Sequence, residues 1–173
     1  SMLLVRLNTP GGLMDASREI VEKLLASPVP VVTYVTPAGA RAASAGFFIL
    51  LAADMAAMAP GTRTGAASPV ILGREMDEVM RRKIESDAQA WLRSIASRRG
   101  RNAALAEKTV TEAKSFTERE ALDSQLIDII AKDEADLRGA QAAAAQGERQ
   151  KGQRRGAGRP VEHPDHCQEP VRA

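Results

Sequence analysis

The sequence contains few of the residues on which several common protein functions depend. Its 173 residues include one cysteine and two histidines, and aromatic residues make up 3%. A single cysteine, Cys167, excludes an internal disulfide framework. So few aromatic rings argue against single-stranded nucleic-acid binding by base stacking. Because His163 and His166 both lie near the C-terminus, a folded core before them has no histidine for a Ser-His-Asp triad.

Charge and composition divide the chain into two parts. The net charge is +2, and the residues from Arg138 onward include seven basic and four acidic side chains, which leaves about −1 on the first 137 residues. The later part has no apolar periodicity beyond alanine and cannot bury enough surface to order itself. We predict a folded domain over residues 1–136 and a disordered basic tail over 137–173. The folded part carries no basic patch, so no nucleic-acid partner is expected.

Apolar patterning over residues 1–136 predicts an α/β fold with parallel strands. Strands are predicted at 3–7, 31–35, 54–59 and 126–130, and helices at 13–27, 74–99 and 102–112. The first helix lies between two strands, a β-α-β unit that normally makes them parallel. The apolar run 42–59 approaches the length of a bilayer span, but it contains Asp54 and is interpreted as a buried helix followed by a strand. Pro60 to Pro69 is predicted to be a loop lining a cleft.

Ser44 lies where a strand leads into a buried helix, within Thr36-Pro-Ala-Gly-Ala-Arg-Ala-Ala-Ser-Ala-Gly46. The first turn of a helix has N–H groups without intrahelical partners, so a hydroxyl placed there has donors beside it that can stabilise an oxyanion. The neighbours Ala43, Ala45 and Gly46 leave room for a substrate backbone. Small residues of this kind also allow tight helix packing, which is the alternative interpretation.

A second stretch, Leu7-Asn-Thr-Pro-Gly-Gly-Leu13, also follows a strand and precedes a helix. In a parallel sheet both stretches fall at the carboxyl edge, where open α/β folds place their sites. Gly11 and Gly12 can present backbone donors that a side chain would block.

The two stretches and their spacing resemble the ClpP-like serine peptidases, and most closely the NfeD-type membrane-associated serine proteases. Residues 3–131 are similar to this family throughout. The resemblance implies a ClpP/crotonase-like β-α-β spiral with Ser44 as nucleophile. It also implies that the N–H groups of Gly12 and Ala45 form the oxyanion hole, with Gly11 and Leu13 as alternatives to Gly12.

Lys83 projects onto the apolar side of the helix predicted for residues 74–99, together with Met76, Met80 and Ile84. Burial disfavours the charged form of a lysine, as a general base at neutral pH requires. A helical lysine is more commonly a solvated residue or one that snorkels. The family resemblance implies a Ser-Lys dyad and identifies Lys83 as its base.

The resemblance further implies hydrolysis of apolar peptide segments, such as those of stomatin-like membrane proteins, by a homo-oligomer that needs no metal or other cofactor. The cluster His163-Pro-Asp-His-Cys167 offers too few scaffolded ligands for a closed zinc site. The sequence leaves the location of this chain unknown, whereas the family is membrane-associated with its protease domain outside the cytoplasm. Two other functions remain open, a crotonase-type acyl-CoA enzyme and a catalytically silent interaction module.

The resemblance also predicts that the chain is truncated at both ends relative to the family. The fold is expected to lack a β-α segment before the strand at 3–7, which would expose that strand's edge. Membrane contact is expected only through segments missing from this chain. We therefore expect weak or no hydrolysis by the chain alone, even with Ser44 and Lys83 present.

Overall fold

A computed structural model of the protein describes residues 2–70 and 77–143. Helices and strands alternate along most of this part, as the sequence predicts. In chain order the elements are β1 (Leu3–Leu7), α1 (Met14–Leu25), β2 (Val31–Val35), β3 (Arg41–Ala43), α2 (Ala45–Ala52), β4 (Met55–Met58), β5 (Arg63–Gly65), α3 (Glu78–Arg98), α4 (Ala103–Thr111), β6 (Ser115–Thr117), α5 (Glu118–Asp123) and β7 (Ile129–Ile130).

The larger sheet has four parallel strands in the order β1-β2-β4-β7. Its inner strand β2 is buried along its whole length, which explains the run of β-branched and aromatic residues at 31–35 in the sequence. Among the described residues β1 pairs with β2 alone and lies at the sheet edge, with Met2 and Leu3 exposed. The predicted α/β fold with parallel strands is confirmed.

Alternate residues of β2 support hydrophobic clusters on the two faces of this sheet. Val31 and Val35 belong to the larger cluster, which also contains all of α2 from Phe47 to Ala52. Val32 and Tyr34 belong to the smaller one. The helix α2 is completely buried, so the apolar run 42–59 is a core helix followed by a strand, as interpreted from Asp54.

A second sheet, β3-β5-β6, was not predicted from the sequence. It pairs β3 with β5 in parallel and β5 with β6 antiparallel. Each of these strands has three residues, too few to show an alternating pattern. The segment predicted as a loop from Pro60 to Pro69 therefore contains a strand, and that strand lies beside the one that leads to Ser44.

Several predicted boundaries change, and the strand predicted at 126–130 shortens to Ile129–Ile130. The long helix begins at Glu78, because Asp77 is its N-cap and accepts hydrogen bonds from the N–H groups of Val79 and Met80; the part predicted over 74–76 lies outside the described residues. The predicted tail begins too early, since residues 134–143 are helical and Leu137 is fully buried beside Tyr34. Residues 1–137 form one compact unit. The disorder predicted beyond residue 143 lies outside the described range.

Candidate active site

Ser44 connects β3 to α2 in a backbone conformation that is rare for a side-chain-bearing residue. Its φ is 50° and its ψ is −117°, values typical of the glycine-dominated first central position of a type II′ turn. It is the N-cap of α2, one residue before the first turn in which it was predicted, yet its hydroxyl makes no capping hydrogen bond. Its own N–H donates to the carbonyl of Gly65 at 3.1 Å. The backbone of Ser44 is therefore held from β5 while its half-buried hydroxyl stays free of the helix.

The loop that follows β1 is joined to the strand that carries Ser44. The N–H of Thr9 donates to the carbonyl of Arg41 at 2.7 Å, and the N–H of Ala43 donates to the carbonyl of Thr9 at 3.1 Å. Asn8 adds a third link, since its side-chain oxygen accepts from the N–H of Arg41 at 3.3 Å. These bonds bring the two glycines of the loop to the serine.

Two glycines are required where these segments touch. A Cβ on Gly11, whose φ is +133°, would lie 2.9 Å from the Cβ of Ser44 and 3.4 Å from its Oγ. A Cβ on Gly46 would lie 2.6 Å from the methyl group of Thr9. Both distances are shorter than van der Waals contact, so neither position accepts a larger residue without movement. The close approach predicted from the small residues around Ser44 is made by the protein's own loop.

The donors expected for an oxyanion hole differ in their availability. The N–H of Gly11 already donates to the hydroxyl of Thr9 at 3.1 Å. Within residues 2–70 and 77–143, no hydrogen bond is recorded for the N–H groups of Gly12, Leu13 or Ala45. An N–H group in the first turn of a helix has no intrahelical acceptor, which explains Ala45. The geometry thus favours Gly12 or Leu13 over Gly11 as the donor from this loop.

Gly12 and Ala45 line the same cleft, which has a volume of about 290 Å³. Its apolar lining comes from β1, the glycine loop, α1 and α2, and includes Leu7, Leu13, Ile20 and Ile49. The side chain of Leu13 is 79% exposed. The cleft therefore combines free backbone donors with apolar walls, an arrangement suited to a peptide with apolar side chains.

Lys83 is exposed, which contradicts the prediction that it lies on a buried apolar side of its helix. The neighbouring Val79 and Met80 are also exposed, and the first buried residue of α3 is Ala88. The first turns of α3 thus lie beyond the described residues of the core, so an apolar pattern there does not produce burial. Within the part of the chain that the structure describes, no hydrogen bond joins Lys83 to Ser44.

Two contacts nevertheless show how the helices that carry Ser44 and Lys83 are aligned. Phe48 of α2 stacks on Trp91 of α3 with ring centroids 4.5 Å apart. At the C-terminal ends of both helices, the Nε of Arg99, the C-cap residue of α3, donates to the carbonyl of Ala52 at 2.7 Å. Between these two contacts both helices run in the same direction. They therefore lie side by side with their N-termini at one end.

The same register can be followed towards the N-termini. Ser44 precedes Phe48 by four residues, or about 6 Å along a helix axis, and Lys83 precedes Trp91 by eight, or about 12 Å. Ser44 and Lys83 therefore lie at the same end of the helix pair.

Charged groups near Lys83 are mostly paired with one another. Arg81 and Arg82 both bind Glu78, at 2.7 and 2.9 Å. One turn after Lys83, Asp87 pairs with Arg18 of α1, whose guanidinium also lies 4.6 Å from the ring centre of Trp91. Lys83 lines an open groove of about 530 Å³ with residues of α3, which are Val79, Arg82, Ser86, Asp87 and Ala90.

Comparison with known proteins places this geometry in a family. Residues 1–149 match the family described as NfeD1b, N-terminal domain. The chain belongs to this family. It is 40% identical over 133 residues to the membrane-bound protease PH1510 of Pyrococcus horikoshii, and the match covers 76% of this chain and 30% of that protein. It is 41% identical over 68 residues to the membrane protein NfeD1b of Bacillus subtilis, covering 39% of this chain and 15% of that protein.

Solved structures give the same relationship. The 1510-N membrane-bound stomatin-specific protease, in a lysine-to-alanine variant with a substrate peptide, matches with a TM-score of 0.72 and 39% identity over 79% of this chain and 63% of that one. A serine-to-alanine variant of the same protease matches with the same score. ClpP1 of Listeria monocytogenes matches with a TM-score of 0.60 at 19% identity, over 76% of this chain and 74% of that one. The predicted ClpP-like fold and NfeD membership are confirmed.

Sequence reasoning did not single out two residues of this region. Thr9 connects the glycine loop to both β3 and α2, and the signal for it is a hydroxyl residue just before Pro-Gly-Gly, a pattern typical of turns closed by a side chain. Gly65 holds the N–H of Ser44 and has φ +105°. Its role depends on the pairing of β3 with β5, which no local pattern announces.

Proposed function

We propose that this chain is the catalytic domain of a serine peptidase in which Ser44 is the nucleophile and Lys83 the general base. The observation that carries the proposal is the setting of Ser44, whose uncapped hydroxyl lies at the start of a buried helix beside the free N–H groups of Ala45 and Gly12. Backbone donors held in this way stabilise the charge that develops on the oxygen of an attacked carbonyl.

The proposed reaction proceeds through an acyl-enzyme. The Oγ of Ser44 attacks the scissile carbonyl carbon while its proton passes to the Nζ of Lys83. The carbonyl oxygen becomes an oxyanion that accepts hydrogen bonds from Gly12 and Ala45, with Leu13 as the alternative to Gly12. When the C–N bond breaks, Lys83 returns the proton to the leaving amine. Water then attacks the ester, again with Lys83 accepting its proton, and no metal or other cofactor takes part.

Lys83 is supported as the base by the alignment of α2 with α3, which brings it to the same end as Ser44. The related 1510-N protease was studied in variants with one serine or one lysine replaced by alanine. Those two positions are 41 residues apart, whereas Ser44 and Lys83 are 39 apart. The nearby Arg81 and Arg82 are unsuitable, because arginine stays protonated at ordinary pH.

The exposure of Lys83 requires that something cover its amine during the reaction. A peptide lying across Ser44 and the groove beside α3 would cover Lys83 and displace water from it. In this proposal the base is completed when substrate binds. This accounts for an exposed lysine at the end of the helix pair that holds the nucleophile.

The substrate is proposed to be an apolar peptide segment. Support comes from the cleft, whose apolar walls include Leu7, Ile20 and Ile49. The related 1510-N protease is described as stomatin-specific. We therefore propose a segment of a stomatin-like membrane protein as the substrate.

Two further properties stay predictions. Self-association is supported by exposed apolar side chains on two helices, including Ile20 of α1 and Val79 of α3, which are 43% and 62% exposed. Membrane association is supported by the relatives, both described as membrane proteins. Within the described residues, no helix has the length and apolar character needed to cross a bilayer.

The test is labelling with a fluorophosphonate, which reacts with activated serine hydroxyls, followed by peptide mass spectrometry. We expect the label on Ser44, loss of labelling in Ser44→Ala, and unchanged labelling in Ser94→Ala, which removes an exposed hydroxyl from α3. A stomatin-derived peptide and an acyl-CoA thioester are then offered to the chain. Labelling elsewhere, or turnover of the thioester alone, would overturn the proposal.

A further inference from the structure

Thr9 has two functional groups that face different parts of the candidate site. Its hydroxyl donates to the carbonyl of Gly11 at 3.0 Å and accepts from the N–H of Gly11 at 3.1 Å. Its methyl group fills the space in which a Cβ of Gly46 would lie, 2.6 Å away. The backbone of Thr9 is fixed independently of both, through hydrogen bonds to Arg41 and Ala43 of β3.

The hydrogen bond from the Thr9 hydroxyl to the Gly11 carbonyl also affects the direction of the next N–H group, that of Gly12. The carbonyl of Gly11 and the N–H of Gly12 belong to one planar trans peptide, in which the two groups point in opposite directions. Holding this carbonyl towards Thr9 therefore turns the N–H of Gly12 away from Thr9. Gly11 is a glycine at φ +133°, with no Cβ to restrict rotation of this peptide.

The hydroxyl also occupies the competing donor. Because the N–H of Gly11 is bonded to Thr9, it is not available to a substrate, whereas the N–H of Gly12 has no recorded partner among the described residues. One side chain thus selects which donor of the loop is presented.

We infer that Thr9 is a positioning residue for the oxyanion hole, whose hydroxyl sets the orientation of the Gly11–Gly12 peptide so that Gly12 donates to the reacting carbonyl oxygen. This inference rests on the proposed peptidase function. Thr9 does not touch the reacting atoms and acts only through the peptide that it holds. Its methyl group has a separate task, which is packing against α2.

Two substitutions separate the hydroxyl from the methyl group. Thr9→Val keeps the branched shape and removes the hydroxyl, while Thr9→Ser keeps the hydroxyl and removes the methyl group. Loss of one oxyanion donor lowers kcat by roughly 100- to 1000-fold, and a misaligned donor costs less. We expect Thr9→Val to lower kcat by roughly 10- to 100-fold with little change in KM. Thr9→Ser and the control Thr111→Val, an exposed position in α4, should stay within about threefold of the unsubstituted chain.

A ligand comparison distinguishes positioning from general loss of structure. A peptide aldehyde forms a hemiacetal with the serine whose oxygen occupies the oxyanion hole, while the product peptide does not. We expect Thr9→Val to weaken the aldehyde in proportion to kcat/KM and to leave the product peptide unchanged. Equal weakening of both ligands, or equal kinetics for Thr9→Val and Thr9→Ser, would overturn the inference.

A measurement on the whole chain that needs no turnover separates this inference from the proposed function. Residual dipolar couplings report the directions of the Gly11 and Gly12 N–H bonds. They should change in Thr9→Val and not in Thr9→Ser. Unchanged directions in Thr9→Val would refute the role of the hydroxyl whatever the activity, whereas absence of labelling at Ser44 would refute the peptidase and leave the peptide geometry standing.

Discussion

Gly11 and Ser44 are in direct contact, so closely that a Cβ on the glycine would lie 2.9 Å from the Cβ of the serine. The loop after β1 and the junction before α2 are 33 residues apart in sequence. Their contact means that any movement of the glycine loop changes the surroundings of the serine hydroxyl. The proposed nucleophile and the glycine loop therefore form one packed unit.

Replacing each glycine of the loop with alanine tests this packing. Gly11→Ala should lower the free energy of unfolding by about 1–3 kcal/mol, because φ +133° strains an alanine and its Cβ would collide with Ser44. Gly12→Ala should change it little, since its nearest neighbour is the Cβ of Ala45 at 3.9 Å. Urea unfolding of both variants measures the difference. Equal decreases in the free energy of unfolding for the two variants would contradict a special packing constraint at Gly11.

The backbone conformation at position 44 should be more favourable for glycine than for serine. The dihedral angles of 50° and −117° are unfavourable for any residue with a Cβ. Ser44→Gly should raise the free energy of unfolding by about 1 kcal/mol and abolish labelling by a fluorophosphonate. Ser44→Ala should abolish labelling without this gain. If both variants melt at the same temperature, the strain at Ser44 is not a measurable cost.

The proposed dyad should lose activity in a non-additive way. Ser44→Ala and Lys83→Ala should each reduce kcat to background, and the double variant should be no worse, because both groups serve one proton transfer. Since Lys83 is exposed, Lys83→Ala should change the free energy of unfolding by less than about 0.5 kcal/mol. Lys114→Ala is the matched control for loss of a positive charge. Near-normal turnover in Lys83→Ala would reject this lysine as the base.

Arg101 should contribute strongly to stability through the C-terminal end of α2. Its guanidinium donates to the carbonyls of Leu51 and Ala53 at 3.1 and 3.0 Å and to Asp128 at 2.6 Å. Burial lowers the pKa of Arg101, while Asp128 opposes that shift. Arg101→Met leaves the buried carbonyls at the end of α2 without donors, and should cost about 2–4 kcal/mol.

The control for Arg101→Met is Arg98→Met, which removes an exposed guanidinium from the last turn of α3. This change should cost less than about 0.5 kcal/mol. Both free energies are obtained from urea titrations monitored by circular dichroism. Similar values for the two variants would contradict a special role for the buried arginine.

Tyr34 should make stability decrease at alkaline pH. Burial raises the pKa of its hydroxyl above the ordinary value of 10.0, opposed in part by a hydrogen bond with Thr36. The unfolded chain therefore loses this proton first as pH rises. The stabilising contribution is complete below pH 10 and is lost as pH rises through the raised folded pKa.

Tyr34→Phe provides the comparison, because it lacks the proton but keeps the ring. Free energies of unfolding for both chains are measured from pH 8 to pH 11.5, values set by the ordinary tyrosine pKa of about 10. The difference between them should be constant below pH 10 and should then shift in favour of the variant. Parallel curves across the whole range would exclude a raised pKa for Tyr34.

Local patterns in the sequence were sufficient for the larger sheet and its helices. The run of β-branched and aromatic residues at 31–35 predicted the inner strand β2. The glycine- and alanine-rich stretches were expected to leave room for a substrate backbone, and in the structure the two stretches approach each other there. Each of these signals is local, since it depends on strand burial, helix termini or the absence of a Cβ.

Other features depend on contacts between distant residues, which no short stretch records. The sheet β3-β5-β6 has strands of three residues each and is defined only by its pairing. The apolar pattern around Lys83 predicted burial, but no described element covers that end of α3, and its side chain is exposed.

The choice among the donors of the glycine loop also required the tertiary structure. The sequence determined that no side chain at Gly11 or Gly12 blocks the backbone N–H groups of the loop. Which N–H is free was decided by the hydroxyl of Thr9, whose position is set by pairing with Arg41 and Ala43 some thirty residues away. Composition and spacing specify which groups are available, whereas their directions follow from hydrogen bonds between segments that meet only in the folded chain.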